Sequence, residues 1–139
     1  MAVETGERYV TASKAAVPLA VSSYFDALND EDWDGFGIIW AEDASVHAVG
    51  ARPRHGVGEV LDLYKKIFEH WPRHVDIPGR TFIDGDTVTV EVHFVGTTDE
   101  GRDVEFDAID VIDLEDGRIK RITTWYDTAR VSELIAGTS

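Results

Sequence analysis

Residues 87–127 read TVTVEVHFVGTTDEGRDVEFDAIDVIDLEDGRIKRITTWYD, and this stretch decides the fold. Apolar and polar side chains alternate with a period of two, which is the period of a strand. Val88, Val90, Val92 and Phe94 fall on one side of residues 87–96, and Thr87, Thr89, Glu91 and His93 on the other. Asp99-Glu100-Gly101 and Glu115-Asp116-Gly117 are turn sequences. The spacing predicts three long antiparallel strands over 87–96, 103–114 and 118–127, with Asp84-Gly85-Asp86 turning from a shorter strand at 80–84.

Upstream the period lengthens to that of a helix. Ala16, Ala20, Tyr24, Ala27 and Leu28 predict a helix over 14–30 that ends at Asn29-Asp30. Asp32 can cap a short second helix over 33–41, with Trp33, Phe36 and Trp40 on one face. Residues 44–49 read as a short strand, and GARPRHG as a loop. Val60, Tyr64, Ile67, Phe68 and Trp71 predict a helix over 57–71, stopped by Pro72. Val131, Leu134 and Ile135 predict a C-terminal helix over 128–136, whereas residues 1–13 are polar and are expected to be loose or to form a short leading helix. Helices first and an antiparallel meander after them define an α+β fold with helices on one face of a curved sheet. The 139 residues fit one domain spanning 1–139.

Composition narrows the function. Thirteen basic against 27 acidic residues give a net charge of -14, which repels nucleic acids and anionic membranes. No apolar run approaches the length of a membrane span, and MAVETGERYVTASK has no apolar signal-peptide core. Without cysteine there is no disulfide, no thiol nucleophile and no Cys-ligated zinc, which suits a cytoplasmic protein. The five histidines show no metal-ligand spacing, and there is no nucleophile elbow, GxGxxG or Walker pattern. No cofactor and no metal are therefore expected. Apolar residues make up 43% of the chain, and the expected partner is a hydrophobic small molecule held in a pocket.

The chemistry falls on the strand 103–114. Phe106, Ala108, Asp110 and Ile112 share one face, and Glu105, Asp107, Ile109, Val111 and Asp113 the other. If the first set faces the helices, Asp110 is a carboxyl among apolar groups and its pKa rises, which suits an acid or base near neutral pH. If the register is inverted, Asp110 is a solvated strand residue. Both faces carry apolar side chains, so alternation leaves both registers open. Trp40, Phe106, Ala108, Ile112 and Tyr126 are expected to line an apolar chamber. Ile109, Val111, Thr123 and Trp125 on the other face predict a homodimer packed through the outer sheet.

The stretch SSYFDALNDEDWDGFGIIWAEDASVHAVGARPRHGVGEVLDLY at 22–64 and FDAIDVIDLEDGRIKRITTWYD at 106–127 resemble the ketosteroid isomerase and SnoaL-like polyketide cyclase families of the nuclear transport factor 2-like superfamily. The resemblance runs over about residues 14–135 and implies a cone-shaped fold, three helices on a curved, mainly antiparallel sheet enclosing a pocket. It implies that Tyr24 donates to an oxyanion, that Asp110 is either a protonated second donor or the single acid/base of a cyclase, and that Tyr126 lines the cavity floor. The chain departs from the isomerases at His47-Ala48-Val49, where their general-base carboxylate belongs. His47 replaces that base if its ring points inward, and an outward ring remains equally open. Limonene-epoxide hydrolases resemble the fold but bridge two carboxylates through an Arg, and Arg102-Asp103 sits at a hairpin turn instead. Scytalone dehydratase-like enzymes use two inward histidines, whereas His93 alternates with Val92 and Phe94 and should point away. Arg52, Arg54 and His55 form a small basic cluster that either orients an anionic tail or is a solvated loop. The expected function is cofactor-independent acid–base catalysis on a hydrophobic carbonyl compound, of cyclase or isomerase type, with Asp110, Tyr24 and auxiliary His47 at the site. A non-catalytic binding or dimerisation module and an epoxide hydrolase-like enzyme are the alternatives.

Overall fold

The computed structural model describes the backbone at residues 10–11 and 16–138, and side chains over 16–138. The strands are β1 (Val10–Thr11), β2 (Trp40–Ala48), β3 (Arg54–His55), β4 (Arg73–Asp84), β5 (Thr87–Thr97), β6 (Asp103–Glu115) and β7 (Arg118–Tyr126). The helices are α1 (Leu19–Asp30), α2 (Trp33–Ile38), α3 (Val57–Glu69) and α4 (Thr128–Ala136). One seven-stranded mixed sheet runs β1-β4-β5-β6-β7-β2-β3. The central strands β4 to β7 are antiparallel, whereas β2 joins β7 and β1 joins β4 in parallel. This is the expected α+β architecture of helices against a curved sheet.

The alternation in β5 and β6 is realised in full. Val88, Val90, Val92 and Phe94 are buried on the inner face, and so are Val104, Ala108, Asp110 and Ile112. Helix α1 lays Val21, Tyr24, Phe25 and Leu28 onto that face, and α3 adds Val60, Tyr64 and Phe68. Phe36 of α2 closes the layer with its ring packed 4.9 Å from Tyr64 and 5.5 Å from Tyr24.

Several boundaries differ from the expected ones, among them the end of α3 at Glu69 instead of 71. Helix α1 begins at Leu19 because Pro18, which lacks an amide proton, occupies the N-cap. Helix α2 ends at Ile38, and Trp40 opens β2 instead of continuing the helix face of Trp33 and Phe36. The arginine loop contributes the short β3, paired to Ser45 and Val46. Strand β4 starts at Arg73, seven residues before the expected 80, and a register shift between Pro78 and Thr81 accommodates the proline. Within the N-terminal stretch Val10–Thr11 pairs with Arg80–Thr81, and the rest of that expectation lies outside the described residues. No helix among the described residues is long and apolar enough to cross a membrane.

Candidate active site

The inner sheet face and the helices enclose a cavity of about 300 Å³. Its walls are mainly apolar, with Val46 and Ala48 from β2, Leu63, Ile67 and Phe68 from α3, Val92 and Phe94 from β5, and Val131 and Ile135 from α4. Tyr24, Tyr64, Asp76, Asp110, Thr124 and Tyr126 supply the polar side-chain oxygens, and no Lys or Arg lines it.

Asp110 is held where the inward phase of β6 puts it, 5% exposed. Burial raises its pKa from 3.8 to about 6, and a hydrogen bond of 2.8 Å donated by the Thr124 hydroxyl opposes that rise. Thr124 is its cross-strand partner on β7, so the sheet register itself delivers the donor. Tyr24 reaches the cavity from α1 and Tyr64 from α3, and their hydroxyls are 2.9 Å apart. Burial, more than any other influence, raises both phenols well above their ordinary value, so both remain neutral. In such a pair one hydroxyl donates to the other, which keeps its own proton free for a ligand.

Asp76 and Tyr64 are site residues that the sequence reading missed. Asp76 lies on the inner phase of β4, where burial and then the charge of Asp110 push its pKa to about 7. Its backbone is fixed from α1. The Asn29 amide nitrogen donates to the Asp76 carbonyl at 2.9 Å, and the Asp76 amide donates to the Asn29 side-chain oxygen at 2.8 Å. The alternation His74-Val75-Asp76-Ile77 points the other way, because its apolar members Val75 and Ile77 lie opposite Asp76, so the sequence holds no signal for its inward phase.

Phe106, Ala108 and Tyr126 line the cavity. Trp40 and Ile112 do not, which corrects the expectation for both. Trp40 packs among Tyr24, Phe36 and Tyr64, and Ile112 sits beyond Asp110 between Val88 and Ile122 with no exposed surface. His47 is a further correction. It alternates with the cavity residues Val46 and Ala48, so its ring turns outward and meets His55 at 5.9 Å. Desolvation, then the charges of Arg121 and His55, lower its pKa. His93 also points away, paired with Asp107 at 2.8 Å and Glu105 at 3.5 Å. Arg52 pairs with Glu59 at 3.7 Å in solvent. Among the described residues no cluster of His, Asp and Glu has the makings of a metal site. A broader depression of about 570 Å³ opens on the outer sheet face, but its only titratable groups, Glu91, His93 and Asp107, are engaged in surface ion pairs.

The profile of the SnoaL-like domain matches residues 21–122. The chain belongs to this SnoaL-like family, and its fold is that of the nuclear transport factor 2-like and ketosteroid isomerase-like proteins. Among solved structures it is similar to a protein of Sinorhizobium meliloti classed with the polyketide cyclases, at 28% identity and a TM-score of 0.69, over 78% of this chain and 95% of that one. An LEH-like epoxide hydrolase of M. tuberculosis matches at 21% identity and a TM-score of 0.73, over 85% and 87%. TerC co-crystallised with polyporic acid matches at 18% identity and a TM-score of 0.77, over 84% and 95%. No curated protein matches the chain.

Proposed function

We propose that the protein is a cofactor-independent acid–base enzyme acting on a neutral, hydrophobic carbonyl compound, of cyclase or isomerase type. One observation carries the reading: a buried carboxyl, Asp110, and a free phenolic proton of the Tyr24–Tyr64 pair open on the same apolar cavity. Asp110 takes a proton from the carbon beside the carbonyl. The tyrosine pair donates a hydrogen bond to the oxygen as negative charge develops there, in a site from which water is largely excluded. Intramolecular attack by the enolate closes a ring, and reprotonation elsewhere shifts a double bond. The small-molecule complex of TerC on the same fold is consistent with this use of the cavity.

The test is hydrogen–deuterium exchange of 2-tetralone in D2O, followed by proton NMR. Exchange above the buffer rate is expected, with loss in Asp110→Asn and a fall of about 10²-fold in Tyr24→Phe, the usual size for one oxyanion donor. Binding of 2-tetralone without exchange identifies a non-catalytic binding module and overturns the reading.

A second reading is favoured by the second carboxyl, Asp76. Two carboxyls of raised pKa can activate a water and protonate an epoxide oxygen together. Hydration of styrene oxide in preference to exchange of 2-tetralone would select it.

A further inference from the structure

Asp76 is a half-buried carboxyl in the cavity wall that the carbonyl mechanism above leaves unused. It stands on β4, two strands away from Asp110 on β6, and both line the one cavity. They do not share a hydrogen bond, yet they lie close enough that a charge on Asp110 is felt at Asp76. Both carboxylates also act on both phenols of the Tyr24–Tyr64 pair. The arrangement is one cavity lined by two carboxyls from different strands and by a tyrosine pair that feels the charge of both.

The two carboxyls are not equivalent. Asp110 accepts the Thr124 hydroxyl, which favours its ionised form. No side chain among the described residues donates to the Asp76 carboxyl. The titratable groups that share the cavity wall with Asp76 are Tyr24 from α1, Tyr64 from α3, Asp110 from β6 and Tyr126 from β7, none of them cationic at neutral pH. The nearest imidazole on its own strand, His74, is engaged with Glu31 at 2.9 Å and stacked on Phe68. When the pair holds a single proton, that proton therefore belongs on Asp76.

We propose that Asp76 is the catalytic acid that works with Asp110 as base, with the substrate lying between them, and that Asn29 is its positioning residue. The proposal rests on the acid–base reading above and deepens it. The substrate's C–H bond breaks, its proton goes to the Asp110 carboxylate, and the electron pair moves into the forming enol. The carbonyl oxygen takes the proton of Asp76, so the pair ends with Asp110 protonated and Asp76 ionised, and the reverse transfer restores both. Two carboxyls and no cation in the wall also set the substrate class: a neutral molecule with its carbonyl on the Asp76 side, carrying no carboxylate or phosphate of its own.

The working form, with one proton on the pair, is most populated between about pH 6 and about pH 7. The experiment is the pH profile of 2-tetralone exchange, read beside carbon-13 NMR titration of Asp-labelled protein. A bell-shaped profile is expected in the wild type. Asp76→Asn should lower the rate at least tenfold and leave a profile that only rises with pH, and it should remove the carboxyl signal of higher pKa. Asn29→Ala should lower the rate with that signal shifted rather than lost. A folded Asp76→Asn with the wild-type rate and bell overturns the proposal and leaves the role of Asp110 standing. Loss of the higher-pKa signal in Asp110→Asn instead also overturns it. If neither Asp substitution alters exchange, both this proposal and the acid–base reading fall.

Discussion

At the scale of the residue, Asp110 sets function against stability. Its folded pKa lies above its unfolded value, so between about pH 4 and pH 6 the unfolded chain has released a proton that the folded chain still holds. Stability accordingly falls across that window and stays lowered above it. A rise from 3.8 to about 6 amounts, at about 1.4 kcal/mol per pH unit, to a cost on the order of 3 kcal/mol once Asp110 is ionised. Asn keeps the size and still accepts from Thr124. Thermal melting should therefore find Asp110→Asn more stable than the wild type at pH 8 and equal to it at pH 4, where both forms are neutral. A less stable variant at pH 8 would make Asp110 a structural residue. The inward phase of Tyr24 was legible because its neighbours at helix spacing are apolar, whereas that of Asp110 needed the family resemblance, since both faces of β6 carry apolar side chains. Asp76 and the outward turn of His47 were not legible, since each depends on a strand boundary that short apolar runs leave open.

At the scale of the element, β5 and β6 were placed correctly because alternation and glycine turns fix their ends, and for β5 the phase as well. Strand β4 was read short because Pro78 and Gly79 resemble a loop, and only the register shift before Thr81 shows how the sheet absorbs them. The same sheet has a tight point at Gly96, on the inner face of β5. A Cβ there would stand 2.8 Å from Phe94 and 2.8 Å from Trp71, both cavity-wall rings. Gly96→Ala must push these rings aside. Overpacking of this kind costs about 1–3 kcal/mol, visible as a lower urea midpoint, and 2-tetralone affinity should change with it. Unchanged stability together with unchanged affinity would show that the rings are free to give way.

At the scale of the whole molecule, the outer face of the sheet carries Ile77, Ile109 and Trp125 at 41%, 42% and 54% exposed. Ile109 and Trp125 are cross-strand partners, and Arg80, Glu91, His93 and Asp107 border the strip with both signs of charge. We propose that a second copy covers it, since the bordering charges are already matched within the chain, Arg80 with Glu91 and His93 with Asp107, and the apolar strip between them is left without cover. With a net charge of -14 the copies repel at long range, so the dimer should tighten as salt rises from 20 to 200 mM. Sedimentation at micromolar concentration checks this, and a monomer at both salts, or a dimer undisturbed by Trp125→Glu, would count against it. The overall architecture was legible because helix-period and strand-period segments are cleanly separated along the chain, and so were the cavity residues on β6 and β7, whereas those that α3, α4 and β4 contribute depend on how distant elements pack together. The placement of the four tryptophans has one more consequence. Trp71 lines the cavity, Trp125 stands on the outer sheet, and Trp33 and Trp40 are packed behind cavity-wall rings without lining the cavity themselves. The chain thus carries two built-in optical reporters: quenching of ultraviolet emission tracks a guest beside Trp71, while a blue shift tracks the drying of Trp125.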